Sequence, residues 1–190
     1  MRESTTPRLP IRTARLELRR LTPGDRDAML WYRSDPETCR YLPFRPQTAD
    51  EVARYLTTRA ARTALEGTDG SLSFGVALPD GGPLLGDLIV FVRDLEQECL
   101  ELGWVFAPEH RGHGYATEAA AALLAFAFGE VGAHRVVARM DPANTASARV
   151  ADRIGMRREA LLLENERVKG VWSDTLNYAV LEREWRASHR

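Results

Sequence analysis

Lysine is almost absent from this sequence. Of the 190 residues, 26 are lysine or arginine, and because Lys169 is the only lysine, the other 25 are arginines. A lysine nucleophile or Schiff base would therefore have to be Lys169. Arginine cannot accept a proton because its pKa is too high. Any general base is therefore sought among the carboxylates, and the arginine excess itself is typical of a genome rich in G and C.

Cysteines and long apolar segments are also scarce. Cys39 and Cys99 are isolated and form no CxxC motif, which argues against a zinc knuckle or a disulfide framework. No apolar run approaches the ~20 residues of a membrane span, and the start of the chain lacks the apolar core of a signal peptide. The sequence therefore predicts a cytoplasmic protein with reduced thiols and no membrane partner.

Charge and composition narrow the class of protein further. The formal net charge is -1 and the pI is about 6.4, whereas a protein that grips nucleic acid needs a large positive face, so we expect no nucleic-acid partner. Hydrophobic residues at 44% and charged residues at 28% are typical of globular chains. We expect a flexible N-terminal tail at residues 1–10 and a single domain at residues 11–186.

The hydrophobic period of the sequence changes along its length. Segments with a period of two are interrupted by helical patterns, and Thr48 with Glu51 forms a capping box that starts one helix. Three strands joined by short turns, one strand–helix–strand crossover and two closing strands indicate an α+β fold. We expect a mixed, mostly antiparallel sheet with two parallel central strands and about four helices. The predicted strands cover residues 15–21, 71–78, 84–93, 98–106, 134–140, 157–168 and 173–181, and the predicted helices cover about 23–33, 48–65, 116–128 and 144–155.

The segment that follows the strand at residues 98–106 has the composition of an anion-binding loop. Gly112 and Gly114 lack Cβ atoms, so backbone N–H groups there can approach a ligand closely. They precede a helix N-terminus, where unpaired N–H groups and the helix dipole favour a phosphate. Arg111 adds a permanent positive charge. Taken alone, the glycines are more simply explained as shaping a turn.

Neither common nucleotide-binding motif fits this loop. The Walker pattern GxxxxGK[ST] is absent, because Lys169 lies far away. The dinucleotide-binding pattern is nearer, with Gly112, Gly114 and a later Asp141. However, its third glycine position holds Thr117, and the upstream strands form a meander. A dinucleotide-binding protein remains an alternative.

A second pair of polar residues follows the strand at residues 134–140. Asn144 can cap the next helix and Ser147 lies in its first turn, and such residues often do this without any other role. After a right-handed crossover the two central strands end at the same edge, so both helix starts face one crevice. We therefore expect Asn144 and Ser147 to lie opposite the glycine loop, in one ligand site.

These motifs resemble those of the GCN5-related N-acetyltransferases. Residues 111–116, RGHGYA, are similar to the acyl-CoA motif of that family, and residues 144–156 look like its second conserved block. The segment 170–174, with Tyr178 and Trp185, is similar to the branch that acetylates the N-termini of ribosomal proteins. The resemblance covers nearly the whole chain.

The resemblance implies acetyl-CoA as co-substrate and indicates which residues bind it. In the family fold the two central parallel strands splay apart, and Gly103 is a fitting position for the associated bulge. The exposed backbone of the first of these strands would pair with the pantetheine arm, and the loop amides would hold the pyrophosphate. The implied cofactor-binding residues are Trp104, Val105, Phe106, Arg111, Gly112, His113, Gly114, Tyr115, Ala116, Asn144 and Ser147.

Acetyl transfer to an amine needs a base, because an α-amine has a pKa of about 7.7–8.0 and attacks only when neutral. The candidate bases are Glu101, Glu164 and Glu166. By resemblance, Glu166 matches the base position of the N-terminal-acetylating branch and Glu101 that of other branches. We predict Glu166 as the base, with Glu101 second. Ser147 could stabilise or protonate the leaving thiolate, and no metal is required.

The sequence leaves the acceptor open. By resemblance, the first helix and the loop after it border the acceptor groove, which makes Tyr41 and Phe44 candidate substrate-binding residues. Trp31 and Tyr32 are more simply explained as core aromatics. The acceptor is either a protein N-terminus or a small amine, and related enzymes often form homodimers. A non-catalytic acyl-CoA-binding or regulatory module is the alternative from a different class.

Overall fold

A computed structural model describes residues 1–2 and 4–188 of the chain. Short 3₁₀ turns precede two of the helices. The strands and helices, in chain order, are β1 (Ser4–Thr5), β2 (Ile11–Arg12), β3 (Glu17–Arg19), α1 (Arg26–Arg33), α2 (Pro36–Cys39), α3 (Ala49–Ala61), β4 (Leu65–Glu66), β5 (Ser71–Ala77), β6 (Leu84–Asp94), β7 (Cys99–Phe106), α4 (Tyr115–Phe126), β8 (Arg135–Met140), α5 (Thr145–Arg153), β9 (Arg157–Val168), β10 (Val171–Leu181) and α6 (Glu182–Ser188).

Eight of the strands form one mixed sheet in the order β2-β3-β5-β6-β7-β8-β10-β9, and β1 pairs separately with β4. Within the large sheet only β7 and β8 run parallel, because α4 crosses between them, and the other neighbours are antiparallel. The predicted α+β fold with a mostly antiparallel sheet is therefore confirmed. A dinucleotide-binding fold requires several parallel strands in succession, so this topology argues against that alternative.

Helices cover both faces of the sheet and divide the core into two clusters. On one face Leu88 and Leu102 pack with the alanine-rich α4 in the larger cluster of buried side chains. Successive strand residues point to opposite faces, so Asp87 lies on the other face. There it contacts Tyr32 of α1, which belongs with Leu56 of α3 to the smaller cluster.

The two parallel strands separate soon after they meet. Residues 99–101 of β7 are aligned with residues 135–137 of β8, and the pairing does not continue to the ends of the strands. A gap therefore opens beside residues 102–106 of β7, as the resemblance implies. The expectation of a bulge at Gly103 is wrong, because Gly103 pairs in register with Ile89 of β6. A Cβ at Gly103 would lie 3.1 Å from Cγ2 of Ile89, so glycine instead provides room at this position.

Local capping explains where the helices beside this gap begin. Asn144 accepts a hydrogen bond from the backbone N–H of Ser147 and caps α5. Thr48 and Glu51 form the predicted capping box at the start of α3. Both caps satisfy backbone N–H groups that have no partner inside the helix.

The number of helices differs from the prediction. Residues 1–2 and 4–188 contain six α-helices rather than about four, and the additional ones are α2 and α6. Both are short, with four and seven residues, so neither produces a clear helical period in the sequence. In the described part of the chain, no helix has the length and apolar character needed to cross a membrane.

The first ten residues contain more secondary structure than their composition suggests. Ser4 and Thr5 pair with Glu66 and Leu65 in a small antiparallel ladder, and Thr5 is buried. The backbone N–H of Arg2 donates to the carbonyl oxygen of Val131. These contacts join residues that are far apart in the sequence, so a local sequence pattern does not predict them.

Candidate functional site

The loop between β7 and α4 borders a cleft of about 610 Å³, the loop cleft. Gly112 and Gly114 have φ values of +79° and +81°, a backbone region that favours glycine. Gly114 is the N-cap of α4, and the first helical residues, Tyr115 and Ala116, line the cleft. The unpaired N–H groups of this helix end are therefore placed as an anion site requires.

Positive side chains lie on both walls of the loop cleft. Arg111 lines it but also donates to the carbonyl oxygen of Phe106 at 3.2 Å and to the Thr38 hydroxyl at 2.8 Å. Its guanidinium therefore joins β7 to α2 as well as contributing charge. Arg149 and Arg153 of α5 also line the cleft, and neither forms an ion pair within the described part of the chain. The sequence analysis missed both, although their four-residue spacing on the helix that Asn144 starts places them on one face.

Most of the predicted cofactor-binding residues line the loop cleft, and His113 is the exception. The His113 ring stacks on Tyr115, with centroids 5.6 Å apart, and its carbonyl oxygen accepts a hydrogen bond from Arg15. Arg15 also binds the carboxylate of Glu118, which fixes the loop against α4. The predicted residues that line the cleft are Trp104, Val105, Phe106, Arg111, Gly112, Gly114, Tyr115, Ala116, Asn144 and Ser147.

A second cavity, of about 340 Å³, lies against the sheet face that carries Asp87 and is called the inner cavity. Its lining includes Tyr41 and Phe44 from the loop after α2, and Ile89 and Phe91 from β6. Both predicted substrate-binding residues are therefore at this cavity. The carboxylates that line the inner cavity lie on the sheet face that α1 and α3 cover. Glu101 of β7 carries one of these carboxylates.

The loop cleft and the inner cavity share several lining residues. Trp104 of β7, Asn144 at the α5 cap and Ser147 in the first turn of α5 border both of them, as does Tyr41. The gap between β7 and β8 thus connects a helix end suited to anions with a second cavity that contains carboxylates. Asn144 and Ser147 lie opposite the glycine loop, as the topology predicts.

The two leading candidate bases have different surroundings. Glu101 lines the inner cavity, and burial raises its pKa although Arg139 and Arg93 oppose the shift. Glu166 lines neither cavity and forms an ion pair with Arg139 at 2.7 Å. Burial would raise the pKa of Glu166, but hydrogen bonds from Thr175 and Arg139 outweigh it and lower the pKa.

The third candidate, Glu164, is exposed on β9 and lines neither cavity. The backbone N–H of Glu164 donates a hydrogen bond to the carboxylate of Asp174 at 2.9 Å. Of the three carboxylates, the structure brings only Glu101 to the inner cavity.

A buried polar cluster that the sequence analysis did not identify forms part of the inner cavity. Asp87 is 2% exposed and accepts hydrogen bonds from the Tyr32 hydroxyl and from Arg33, both at 2.7 Å. Arg33 also lies over the rings of Phe44 and Tyr55. Burial raises the pKa of Tyr32 well above its usual value, so this phenol stays protonated and donates. A single aspartate inside the apolar run of β6 was the available sequence signal.

The two neighbouring aromatics of α1 have opposite positions. Tyr32 is fully buried, as expected for a core aromatic, whereas Trp31 is 65% exposed, so the expectation that Trp31 packs in the core is wrong. The Trp31 indole N–H donates to the carboxylate of Glu109 at 3.1 Å. Adjacent residues of a helix point about 100° apart, so the two side chains cannot both face the core.

The fold and the site together are those of an α+β protein in which two connected cavities meet at a gap between diverging parallel strands. The chain belongs to the acetyltransferase (GNAT) domain family, whose sequence model matches residues 15–157. The resemblance noted in the sequence is thereby confirmed.

Individual proteins similar to this chain support the same family. The uncharacterized N-acetyltransferase YnaD of Bacillus subtilis is 35% identical over 92% of this chain and 98% of its own length. YdaF of Bacillus subtilis, provisionally named a ribosomal N-acetyltransferase, is 32% identical over 55% of this chain and 57% of its own length. A crystal structure of a GNAT-family acetyltransferase from Bacillus anthracis superposes with a TM-score of 0.81 at 31% identity, covering 90% of this chain and 98% of that one.

Proposed function

We propose that this protein transfers the acetyl group of acetyl-CoA to a primary amine that binds in the inner cavity. The observation that carries the proposal is the meeting of two cavities at Trp104, Asn144 and Ser147. One cavity has a helix end suited to phosphate, and the other has a buried carboxylate. A thioester held at their junction would be within reach of an amine bound in the inner cavity.

In this proposal acetyl-CoA occupies the loop cleft. Amides of residues 111–116 hold the pyrophosphate, and Arg149 and Arg153 add positive charge along the opposite wall. The pantetheine arm pairs with the free backbone of residues 104–106, in the gap where β8 has moved away. The cofactor thereby replaces interstrand hydrogen bonds that the sheet lacks at this point.

We assign the general base to Glu101 rather than to Glu166. An amine must be neutral when it attacks, and a carboxylate with a raised pKa accepts a proton more readily than one held low by an ion pair. Glu101 lines the inner cavity, and burial raises its pKa despite an ion pair with Arg93 at 3.2 Å. Glu166 lies outside the cavity, and its ion pair with the cavity-lining Arg139 helps to lower its pKa. The position within the cavity and the direction of the pKa shift both favour Glu101.

The reaction then needs one addition and one elimination. The amine nitrogen bonds to the thioester carbonyl carbon while its proton passes to Glu101, directly or through water. A backbone N–H of β7 stabilises the negative charge that develops on the carbonyl oxygen. The carbon–sulfur bond breaks, and the Ser147 hydroxyl can donate a hydrogen bond to the leaving thiolate, which takes up a proton from water while Glu101 returns the amine proton to solvent. The products are the acetylated amine and CoA with a free thiol.

Release of free thiol from acetyl-CoA, measured with a panel of amines, tests this proposal. We expect Glu101→Gln to reduce kcat/KM by about 10²- to 10⁴-fold, the usual contribution of a general base. Glu166→Gln is the matched control and should stay within about tenfold of the wild type. The acid limb of the wild-type pH–rate profile should lie above the usual carboxyl range, because the pKa of Glu101 is raised.

Two results would contradict the proposal. A larger loss in Glu166→Gln than in Glu101→Gln would return the base to Glu166. Stabilisation by CoA in a thermal-shift experiment, without thiol release from any amine, would indicate the non-catalytic acyl-CoA-binding module instead.

A further inference from the structure

More positive than negative side chains line the inner cavity. Three guanidiniums line it, those of Arg33, Arg59 and Arg139, against the carboxylates of Asp87 and Glu101. Arg33 is paired with Asp87, Arg139 with Glu166, and Glu101 with Arg93 at 3.2 Å. Arg59 is the cavity-lining guanidinium for which residues 1–2 and 4–188 provide no carboxylate within ion-pair distance.

Neutral groups hold Arg59 in place. Its guanidinium donates to the Ser71 hydroxyl at 2.7 Å and lies over the Tyr55 ring, 5.2 Å from the centroid. Arg62 donates to the same hydroxyl, so two positive charges converge on one neutral oxygen. In addition, the buried Nε of Arg33 has no acceptor within the described residues. Arg59 is partly buried and Arg62 is exposed, and among the described residues neither has a carboxylate within ion-pair distance, so an anionic ligand at this end of the cavity would find two guanidiniums without an ionic partner.

The register of the sheet places Arg59 across the cavity floor from Glu101. Ser71 of β5 is aligned with Phe91 of β6, which is aligned in turn with Glu101 of β7. Adjacent strands lie about 4.8 Å apart, so Ser71 and Glu101 are separated by roughly 10 Å. The side chain between them is the apolar Phe91, which also lines the cavity. A molecule on this floor meets a base at one end, an apolar surface in the middle and an unpaired cation at the other end.

We propose that the acceptor is a small amine carrying a carboxylate on an apolar body, and that Arg59 binds the carboxylate while the amine faces Glu101. This inference rests on the proposed acetyltransferase function and specifies its substrate class. A polyamine would bring further positive charge to Arg59 and Arg62 and gain no partner there. A guanidinium can bind a carboxylate through two parallel hydrogen bonds, which also orients the amine toward the thioester.

Matched acceptor pairs test the inference through thiol release from acetyl-CoA. 4-(Aminomethyl)benzoate is compared with benzylamine, and 6-aminohexanoate with pentylamine, because each pair differs only in the carboxylate and the apolar body separates this carboxylate from the amine. Spermidine and a peptide with a free N-terminus complete the panel. We expect the wild type to prefer at least one carboxylate-bearing member over its partner by about tenfold or more in kcat/KM, as expected for a charge-assisted hydrogen bond.

Substitution of Arg59 tests whether its guanidinium causes the preference for the carboxylate-bearing amine. Arg59→Gln should raise KM for the carboxylate-bearing amine by about ten- to a hundredfold, with little change in kcat and none for its decarboxylated partner. Arg59→Lys keeps the charge and should retain part of the preference, even if Arg59→Gln folds poorly. Arg54→Gln, an exposed change on the same helix, is the control and should match the wild type. Each preference is the ratio of kcat/KM for the two members of a pair. When this ratio is compared between variants, the difference in basicity between the two amines cancels.

Three results would overturn the inference. Faster turnover of spermidine, the peptide or the decarboxylated amines by the wild type would mean that the cavity selects another acceptor while acetyl transfer itself stands. Equal losses on both members of a pair in Arg59→Gln would give Arg59 a structural role only. No thiol release with any amine, from a protein that CoA stabilises, would refute the acetyltransferase proposal together with the inference.

Discussion

Replacing Asp87 by asparagine is the most direct test of how the wall of the inner cavity is held together. The substitution keeps the shape of the side chain but removes its charge. Asp87 is 2% exposed and Arg33 3% exposed, so water can replace neither partner. The Arg33 guanidinium cannot lose its proton, and its charge would remain buried without a counter-ion. Breaking a buried ion pair in this way costs about 3–5 kcal/mol, and we expect this loss in the free energy of unfolding.

Urea unfolding followed by fluorescence measures this difference. Tyr32→Phe removes one 2.7 Å hydrogen bond to Asp87 and leaves the ion pair, so it should cost about 0.5–1.5 kcal/mol. Glu37→Gln breaks the exposed pair with Arg40 and should cost less than about 1 kcal/mol. If Asp87→Asn costs no more than Glu37→Gln, the argument that Arg33 depends on a buried counter-ion is wrong.

Two further predictions concern charge elsewhere in the molecule. Arg19 and Thr22 donate hydrogen bonds that outweigh burial and lower the pKa of Asp25, so this carboxylate stabilises the fold above its usual pKa of about 4. Asp25→Asn should therefore lower the urea midpoint at about pH 7, and its difference from the wild type should shrink as the pH falls below about 4; a constant difference would contradict the linkage. Arg149→Gln and Arg153→Gln should each weaken CoA binding by roughly two- to fivefold and reduce its salt dependence, as measured by titration at two ionic strengths. An unchanged affinity in both variants would place the phosphates elsewhere.

The parts of the fold that the sequence predicts depend on local signals. The capping box at Thr48 and the cap at Asn144 are each complete within three or four residues, and both appear in the structure. The change from period two to period 3.6 near Tyr115 predicts the crossover and hence the parallel pair. By contrast, the pairing of Ser4 with Glu66 joins residues 62 positions apart, and no local pattern encodes it.

The candidate base shows the corresponding limit at the site. Glu101 and Glu166 are both strand glutamates in polar alternation, and the sequence does not show which strand face is covered. The structure places α1 and α3 over the face that carries Glu101, which buries its carboxyl and raises its pKa. It also places Arg139 beside Glu166, 27 positions away in sequence. Choosing between Glu101 and Glu166 as the base therefore requires knowing how the helices pack on the sheet.

The separation of β7 from β8 also gives the sheet an edge in its interior. A sheet edge normally lies at the periphery, where unpaired backbone groups can recruit a strand from another protein and start aggregation. Here the free edge begins after residue 101 of β7, and the walls around it include Trp104 and Ser147. On the other side of this gap β8 pairs with β10, so the edge lies inside the sheet and not at its periphery. The molecule can thus keep unpaired strand backbone at its centre without the hazard that such backbone poses at its surface.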